Sequence, residues 1–328
     1  LAEERGDSGV NELEGIDEAS GDGWQLYNAD CIEGVRVIPD RSIGLTLYSP
    51  PFSQVYTYSD SERDMGNSAD DGEFFQHYDF LVPELYRVTR PGRLVAVHCK
   101  DLVNYTGSSG RAGLRDFPGA LIRAHVRCRN AECTAPALVR YEGQCGHGLF
   151  TYASRVTIWK CPVTEMQRTK AHGLLYKQLR ADSTFSRQGL AEYLLVFRRW
   201  AAEVDEVAPV THTHESFPLD QWQEWASPPV WMDVDQTNVL NVQQARSDKD
   251  EKHLCPLQLD VIERAVRLWS NPGDVVFSPF AGIGSEGVET LKHGRKFVGI
   301  ELKPEYFRQA ISFLRAANAQ RSLFAGVG

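Results

Sequence analysis

The sequence has no uninterrupted apolar run of about 18 residues, the length that a membrane-crossing helix needs. Nor does its start show a charged-then-apolar leader. The expected compartment is therefore the cytoplasm, with no membrane partner. Basic residues are also in deficit: 35 Lys and Arg stand against 44 Asp and Glu, a net charge of -9. On its own that balance disfavours a nucleic-acid partner. The deficit is local, however. Residues 1–22 carry Glu3, Glu4, Asp7, Glu12, Glu14, Asp17, Glu18 and Asp22 against Arg5 alone, which leaves only -2 for the rest of the chain. This stretch is rich in Gly and Ser and almost free of large apolar residues, so residues 1–23 are expected to be a disordered acidic tail. Seven cysteines scattered over 328 residues are too sparse for a disulfide framework. They read as reduced thiols or metal ligands.

What the chain does have is one conspicuous stretch, Leu45-Thr46-Leu47-Tyr48-Ser49-Pro50-Pro51-Phe52. A run of strand formers stops at a small polar residue, two prolines and an aromatic, the pattern of a buried strand delivering the chain into a rigid loop. Proline fixes φ and has no N–H, so carbonyls in this loop stay free to accept from a ligand. Ser49 adds a hydroxyl and Phe52 a flat apolar face on which a planar ring can stack. A ring that carries an amino group suits such a loop. A second Ser-Pro-Pro at 227–229 has no apolar strand before it and Val230 after it, and reads as an ordinary turn.

Around the stretch, short α/β units are expected. Trp24–Asp30 reads as a strand with a polar turn, Ile32–Ile38 as a brief helix and Phe74–Val88 as an amphipathic helix. Arg90-Pro91-Gly92 should stop that helix before a strand at Leu94–Cys99. The polar loop from Ser53 to Gly72, with Tyr56 and Tyr58, has the length of a functional lid. Farther on, Cys128, Cys133, Cys145 and His147 form a C-x4-C-x11-C-x-H array that fits a structural zinc knuckle, with Cys161 as a rival fourth ligand and unrelated surface thiols as the alternative. Residues 155–199 then carry nine bases against three acids, either a path for a phosphate backbone or a solvated charged face.

Regular structure returns with a helix at Leu257–Trp269, a turn at 271–274 and a strand at Val275–Phe277. There follows Ser278-Pro279-Phe280-Ala281-Gly282-Ile283-Gly284-Ser285-Glu286-Gly287, a helix to about His293, and a strand from Lys296 that ends in Glu301. A glycine-rich strand-to-helix turn with an acid at the end of the next strand marks a nucleoside-cofactor site. Gly282-x-Gly284-x-x-Gly287 also matches the dinucleotide fingerprint, which makes an NAD-dependent oxidoreductase the rival. That rival leaves Ser49-Pro50-Pro51-Phe52 unexplained and has Ser278-Pro279-Phe280 where a tight turn belongs.

Together the two loops resemble those of the S-adenosylmethionine-dependent DNA amino methyltransferases. Ser49-Pro50-Pro51-Phe52 is similar to their catalytic (D/N/S)-P-P-(Y/F/W) motif, and Pro279-Phe280-Ala281-Gly282-Ile283-Gly284-Ser285 to their P-F-x-G-x-G-(S/T) cofactor loop. Catalytic loop before cofactor loop is the order of the β class. Arg87-Val88-Thr89-Arg90-Pro91-Gly92 and His253-Leu254-Cys255-Pro256 extend the resemblance, which covers Trp24 to about His125 and Cys255 to about Ala317. It implies a Rossmann-like, doubly wound α/β sheet, circularly permuted, with a catalytic half at 24–125, an inserted DNA-recognition region at 126–250 that holds the Cys/His array, and a cofactor half at 251–320. It also implies S-adenosylmethionine held by Ser278, Pro279, Phe280, Gly282, Gly284, Ser285, His253 and Pro256, with Glu301 on the ribose and Asp30 near the adenine. The partner implied is double-stranded DNA with its target base flipped, in a restriction–modification setting whose restriction partner the chain does not name. Ser49 at the head of the motif is associated with the N4 amine of cytosine, and Asp or Asn there with the N6 amine of adenine, the alternative target. Ser278 departs from the family's usual Asp, and the Cys/His array is not part of the shared pattern.

Overall fold

A computed structural model describes residues 16–51, 64–68, 70–105, 107, 110–169, 171–185, 187–240 and 256–325. Its strands are β1 (Asp17–Gly21), β2 (Trp24–Asn28), β3 (Ile43–Tyr48), β4 (Thr89–Cys99), β5 (Leu102–Asn104), β6 (Gly113–Arg115), β7 (Thr151–Ile158), β8 (Glu192–Arg198), β9 (Val230–Trp231), β10 (Val275–Ser278) and β11 (Lys296–Glu301). The main helices are α1 (Cys31–Gly34), α2 (Asp71–Val88), α3 (Phe117–Val126), α4 (Ala137–Tyr141), α5 (Pro162–Thr169), α6 (Tyr176–Asp182), α7 (Leu219–Ala226), α8 (Leu259–Trp269), α9 (Ser285–Lys292) and α10 (Pro304–Ala325). Among the described residues, nine strands form one sheet in the order β1-β2-β11-β10-β3-β4-β8-β7-β9. From β2 to β4 the five neighbours run parallel, and β8 is antiparallel to both β4 and β7. This is the doubly wound α/β sheet that the sequence implied.

Strand β3 lies at its centre and all six of its residues are buried. A parallel strand covered by helices on both faces reads as a continuous apolar run, which is why Ile43–Tyr48 shows no polar alternation. On one face Tyr48 joins Phe74, Tyr78, Leu81 and Leu85 of α2 and Phe117 of α3. On the other, Leu45 and Leu47 meet Val261, Ile262, Ala265 and Val266 of α8. The helix expected from Phe74 begins at Asp71, because the Asp70 carboxylate accepts from the Glu73 N–H at 2.9 Å and caps it. Among the described residues no helix is long and apolar enough to cross a membrane.

Three local expectations need correction. Residues 17–21, assigned to a disordered tail, form β1 and pair antiparallel with β2 along its whole length. Backbone ladders need no apolar side chains, and most of β1 remains exposed. Residues 1–15 of that tail, and residues 53–63 of the expected lid, lie outside the described residues. Helix α2 ends at Val88 as expected, but Arg90-Pro91-Gly92, read as a turn ahead of a strand at Leu94, already belongs to β4: the pairing with β3 shifts register between Ile43 and Leu45, and this stretch is the bulged part. Finally, β7, β8 and β9, all within 126–250, complete the main sheet and do not stand apart from it.

Candidate active site

Parallel strands bring their carboxyl ends to one edge of a sheet, and a crevice opens where the winding changes direction. Here that point falls between β3 and β10. From β3 the chain crosses through α2 to β4 on one side, and from β10 through α9 to β11 on the other. Ser49-Pro50-Pro51 and Ser278-Pro279-Phe280 thus emerge side by side from distant parts of the chain. The rings of Tyr48 and Phe280, 5.6 Å apart and tilted by 44°, join the two loops. Tyr48 is fixed from behind by a 2.5 Å hydrogen bond between its hydroxyl and that of Tyr78. Each buried hydroxyl satisfies the other, and an unpaired one would cost about 1–3 kcal/mol. Phe52 and His253 lie outside the described residues. Pro256 is half-buried ahead of α8.

The glycine loop keeps a space open. Gly282 has φ +53° and no heavy atom within 4 Å of the place where a Cβ would stand. Gly284, at φ +89°, is the N-cap of α9 and brings the loop close to Ala310. Positive φ at both is readily adopted only by glycine. Glu301 braces the loop at its other side: Oε2 accepts from the Gly282 N–H at 2.7 Å and Oε1 from the Lys303 N–H at 2.9 Å. Burial, with the charge of Asp64 added, pushes Glu301 up to about 7. Ser278 is fully buried and its Oγ has no hydrogen-bond partner among the described residues. Ser285 opens α9, and the next residue, Glu286, is buried and pushed by burial up to about 8. Asp30 follows β2, the neighbour of β11, where its carboxylate accepts from the Ile32 N–H at 2.9 Å and caps α1. Asn28 ties the two strand tips together by donating to the Glu301 carbonyl at 2.7 Å.

Three residues that the motifs do not include complete the other side. Ser49 Oγ lies 2.6 Å from His98 Nδ1, His98 Nε2 lies 3.2 Å from Glu192 Oε2, and Lys160 Nζ lies 2.8 Å from the same Glu192 oxygen. The register explains the row. Tyr48 pairs with Val97, so Ser49 and His98 are the next step along parallel β3 and β4; antiparallel β8 starts at Glu192 where β4 ends, and Lys160 follows the end of β7. Burial works against a charge on Glu192, but the hydrogen bond from His98 and the Lys160 ammonium hold it well below the usual carboxylate range. An ionised Glu192 can only accept, so His98 Nε2 carries the proton. In the neutral tautomer Nδ1 then accepts from the Ser49 hydroxyl. In that tautomer the Ser49 oxygen keeps its lone pairs as acceptors. The sequence signal for these residues was weak: a histidine in an apolar strand, and two charges within a basic segment whose partners only the sheet identifies.

That basic segment is partly structural. Lys160 and Arg199 are buried, and Arg199 donates to the carbonyls of Tyr86 at 2.6 Å, Arg87 at 3.2 Å and Thr89. Neither can follow a phosphate backbone. Lys177 and Arg180 on α6 are exposed. Cys128, Cys133, Cys145 and His147 are brought together, their ligand atoms all within 4.8 Å of one another. Cys161 is outside this group.

The family model for N6/N4-type DNA methylases matches residues 43–312, a span that takes in both loops. Over 177 residues the chain is 27% identical to the DNA adenine methyltransferase YhdJ of Escherichia coli (strain K12), a match covering 52% of this chain and 54% of that one, so it spans about half the length of this relative. Two solved structures share the fold. TTHA0409 of Thermus thermophilus, complexed with S-adenosyl-L-methionine, is 21% identical at a TM-score of 0.60, covering 88% of this chain and 93% of its own. The PvuII DNA methyltransferase (cytosine-N4-specific) is 15% identical at a TM-score of 0.58, covering 89% and 86%. With the family model matched over most of its length, the chain belongs to the N6/N4 DNA methylase family.

Proposed function

We propose that the protein transfers a methyl group from S-adenosylmethionine to the exocyclic N4 amine of cytosine in double-stranded DNA, in the cytoplasm. The observation that carries this reading is the Ser49–His98–Glu192 row, which turns Ser49 Oγ into an oriented acceptor at the mouth of the glycine loop. The cofactor fits the residues present: Gly282 leaves open space where a Cβ would stand, and Ser278 Oγ is a buried hydroxyl with no hydrogen-bond partner among the described residues. Phe280, Gly282, Gly284 and Ser285 would hold its methionine part, Glu301 its ribose, and Asp30 would lie near its adenine. When bound it supplies an electrophilic methyl group.

The chain's own residues supply orientation. An exocyclic amine is a poor nucleophile because its lone pair is delocalised into the ring. Ser49 Oγ and the Pro50 carbonyl accept hydrogen bonds from its two N–H groups and favour a pyramidal nitrogen, while Phe52 stacks on the flipped base. The rigid prolines keep both acceptors in place before substrate arrives. The span 126–250 contacts the duplex, with Lys177 and Arg180 as exposed cations near the exposed side chains of Tyr176 and Leu179. Catalytic elements at 24–125 and cofactor elements at 251–320 stand in the permuted order of the β class. Adenine N6 is the second reading, favoured by the likeness to YhdJ. Nucleoside mass spectrometry of DNA from cells expressing the protein decides between them. N4-methylcytosine is expected; N6-methyladenine would establish the second reading, and no modified base would overturn both.

A further inference from the structure

We propose that Cys128, Cys133, Cys145 and His147 bind one Zn²⁺, as a closed structural centre separate from the methyl-transfer chemistry. Three sulfurs and an imidazole make a preferred donor set for zinc, and atoms around a tetrahedral zinc stand about 3.5–3.8 Å apart. Here the four atoms already lie within 4.8 Å of one another, so a shift of about 1 Å closes the shell. Four protein ligands leave no open position, which makes the centre structural and not catalytic.

The surrounding backbone is arranged to converge on this point. Cys128 comes just after the end of α3, and its N–H donates to the Arg140 carbonyl at 2.8 Å. The chain carrying Cys145 and His147 crosses tightly over that helix end. A Cβ at Gly143 would stand 2.3 Å, and one at Gly148 2.1 Å, from the Val126 carbonyl oxygen, so both must be glycine. Arg129 N–H donates to the His147 carbonyl at 3.3 Å, which closes the loop beside the cluster.

An independent observation asks for a metal. No aliphatic or aromatic residue from 127 to 149 is buried, and α4 within this span buries nothing. Leu149 alone in this span packs, half-buried, against the main core, so apolar burial does little to hold the loop to one shape. Segments of this size that lack a core depend on disulfides or metal, and all three cysteines are free. The loop is also anchored to the catalytic half. Arg127 and Arg129, either side of Cys128, both pair with Asp79 of α2, the latter at 2.6 Å. Zinc would thus fix the orientation of a loop that carries Arg127, Arg129 and Arg140 together.

Elemental analysis of the whole protein, purified under reducing conditions without chelator, tests this. One zinc per chain is expected, released stoichiometrically by a mercurial reagent, with thiolate-to-metal charge-transfer bands on cobalt replacement. Cys133→Ser should lose most of the zinc and open residues 127–149 to proteolysis, while Cys161→Ser should keep it. Wild-type protein with well under one zinc that also takes up no cobalt, or a disulfide among Cys128, Cys133 and Cys145 in freshly prepared protein, would overturn the proposal. So would full zinc retention in Cys133→Ser. None of these readouts depends on methylation.

Discussion

Ser49 Oγ is within 2.6 Å of His98 Nδ1 across two adjacent parallel strands, and that contact decides which way the serine hydroxyl points. With His98 neutral and carrying its proton on Nε2, Nδ1 accepts from the Ser49 hydroxyl and leaves the serine oxygen as an acceptor for an amine. Ser49→Ala removes an oriented hydrogen bond made chiefly in the transition state, a loss of about 2.7–4 kcal/mol, or on the order of 100- to 1000-fold in rate. Affinity for S-adenosylmethionine should be unchanged, because the glycine loop is untouched. Single-turnover methylation with labelled cofactor, alongside calorimetry, measures both. Wild-type rates in the variant would reduce the loop to a structural turn.

Glu192 and Glu286 are both buried acids, and pH should affect them with opposite signs. The Glu286 carboxyl is raised from 4.5 to about 8. Between those values the folded chain holds a proton that the unfolded chain has released, so stability falls as pH rises through this window. Glu286→Gln should therefore melt higher than wild type near pH 9, by a few kcal/mol at most, and much closer to it near pH 4. Glu192 is depressed, so its contribution is present above 4.5 and lost as pH falls through its low folded value. Glu192→Gln leaves Lys160 buried without its counter-charge and should cost about 3–5 kcal/mol at neutral pH. That cost should shrink in strong acid. Melting curves across the range test both, and pH-independent differences would contradict the assignment.

Gly282 in the loop and Gly287 in the first turn of α9 should fail in different ways. A methyl added at Gly282 meets no protein atom within 4 Å, whereas one at Gly287 would come within 2.6 Å of Leu314 and Phe297. Gly282→Ala should keep its fold, apart from a strain cost of about 1 kcal/mol for positive φ, and lose cofactor affinity. Gly287→Ala should lose stability by about 1–3 kcal/mol through overpacking. Cofactor titration and urea unfolding of both variants separate the effects; normal cofactor affinity in Gly282→Ala would show that the open space is not the cofactor's.

How much of this was legible depended on range. Strands β3, β10 and β11 and helices α2 and α8 announce themselves through apolar spacing and flanking turn residues, all local signals. The two loops were found for the same reason. His98, Glu192 and Lys160 were not, because the row they form exists only once β3, β4, β8 and β7 are in register. β1 was missed because an acidic edge strand held by backbone bonds has no hydrophobic pattern. Pro91-Gly92 looks like a terminator from either side, and only the β3 pairing shows it as a bulge.

The sheet order has a consequence for how the chain is made. β10 and β11 sit between β2 and β3, so the strands synthesised last fill the middle of a sheet whose flanks were synthesised first. Until Val275–Glu301 leaves the ribosome, β3 and β2 each present an unpaired edge. At about 5–20 residues per second, the interval from Tyr48 to Val275 lasts on the order of ten to fifty seconds. During that time the apolar strand before Ser49 lacks its β10 neighbour. A nascent catalytic half is thus exposed to chaperones and to strand-pairing errors until β10 and β11 emerge, and its cleft can first assemble only then.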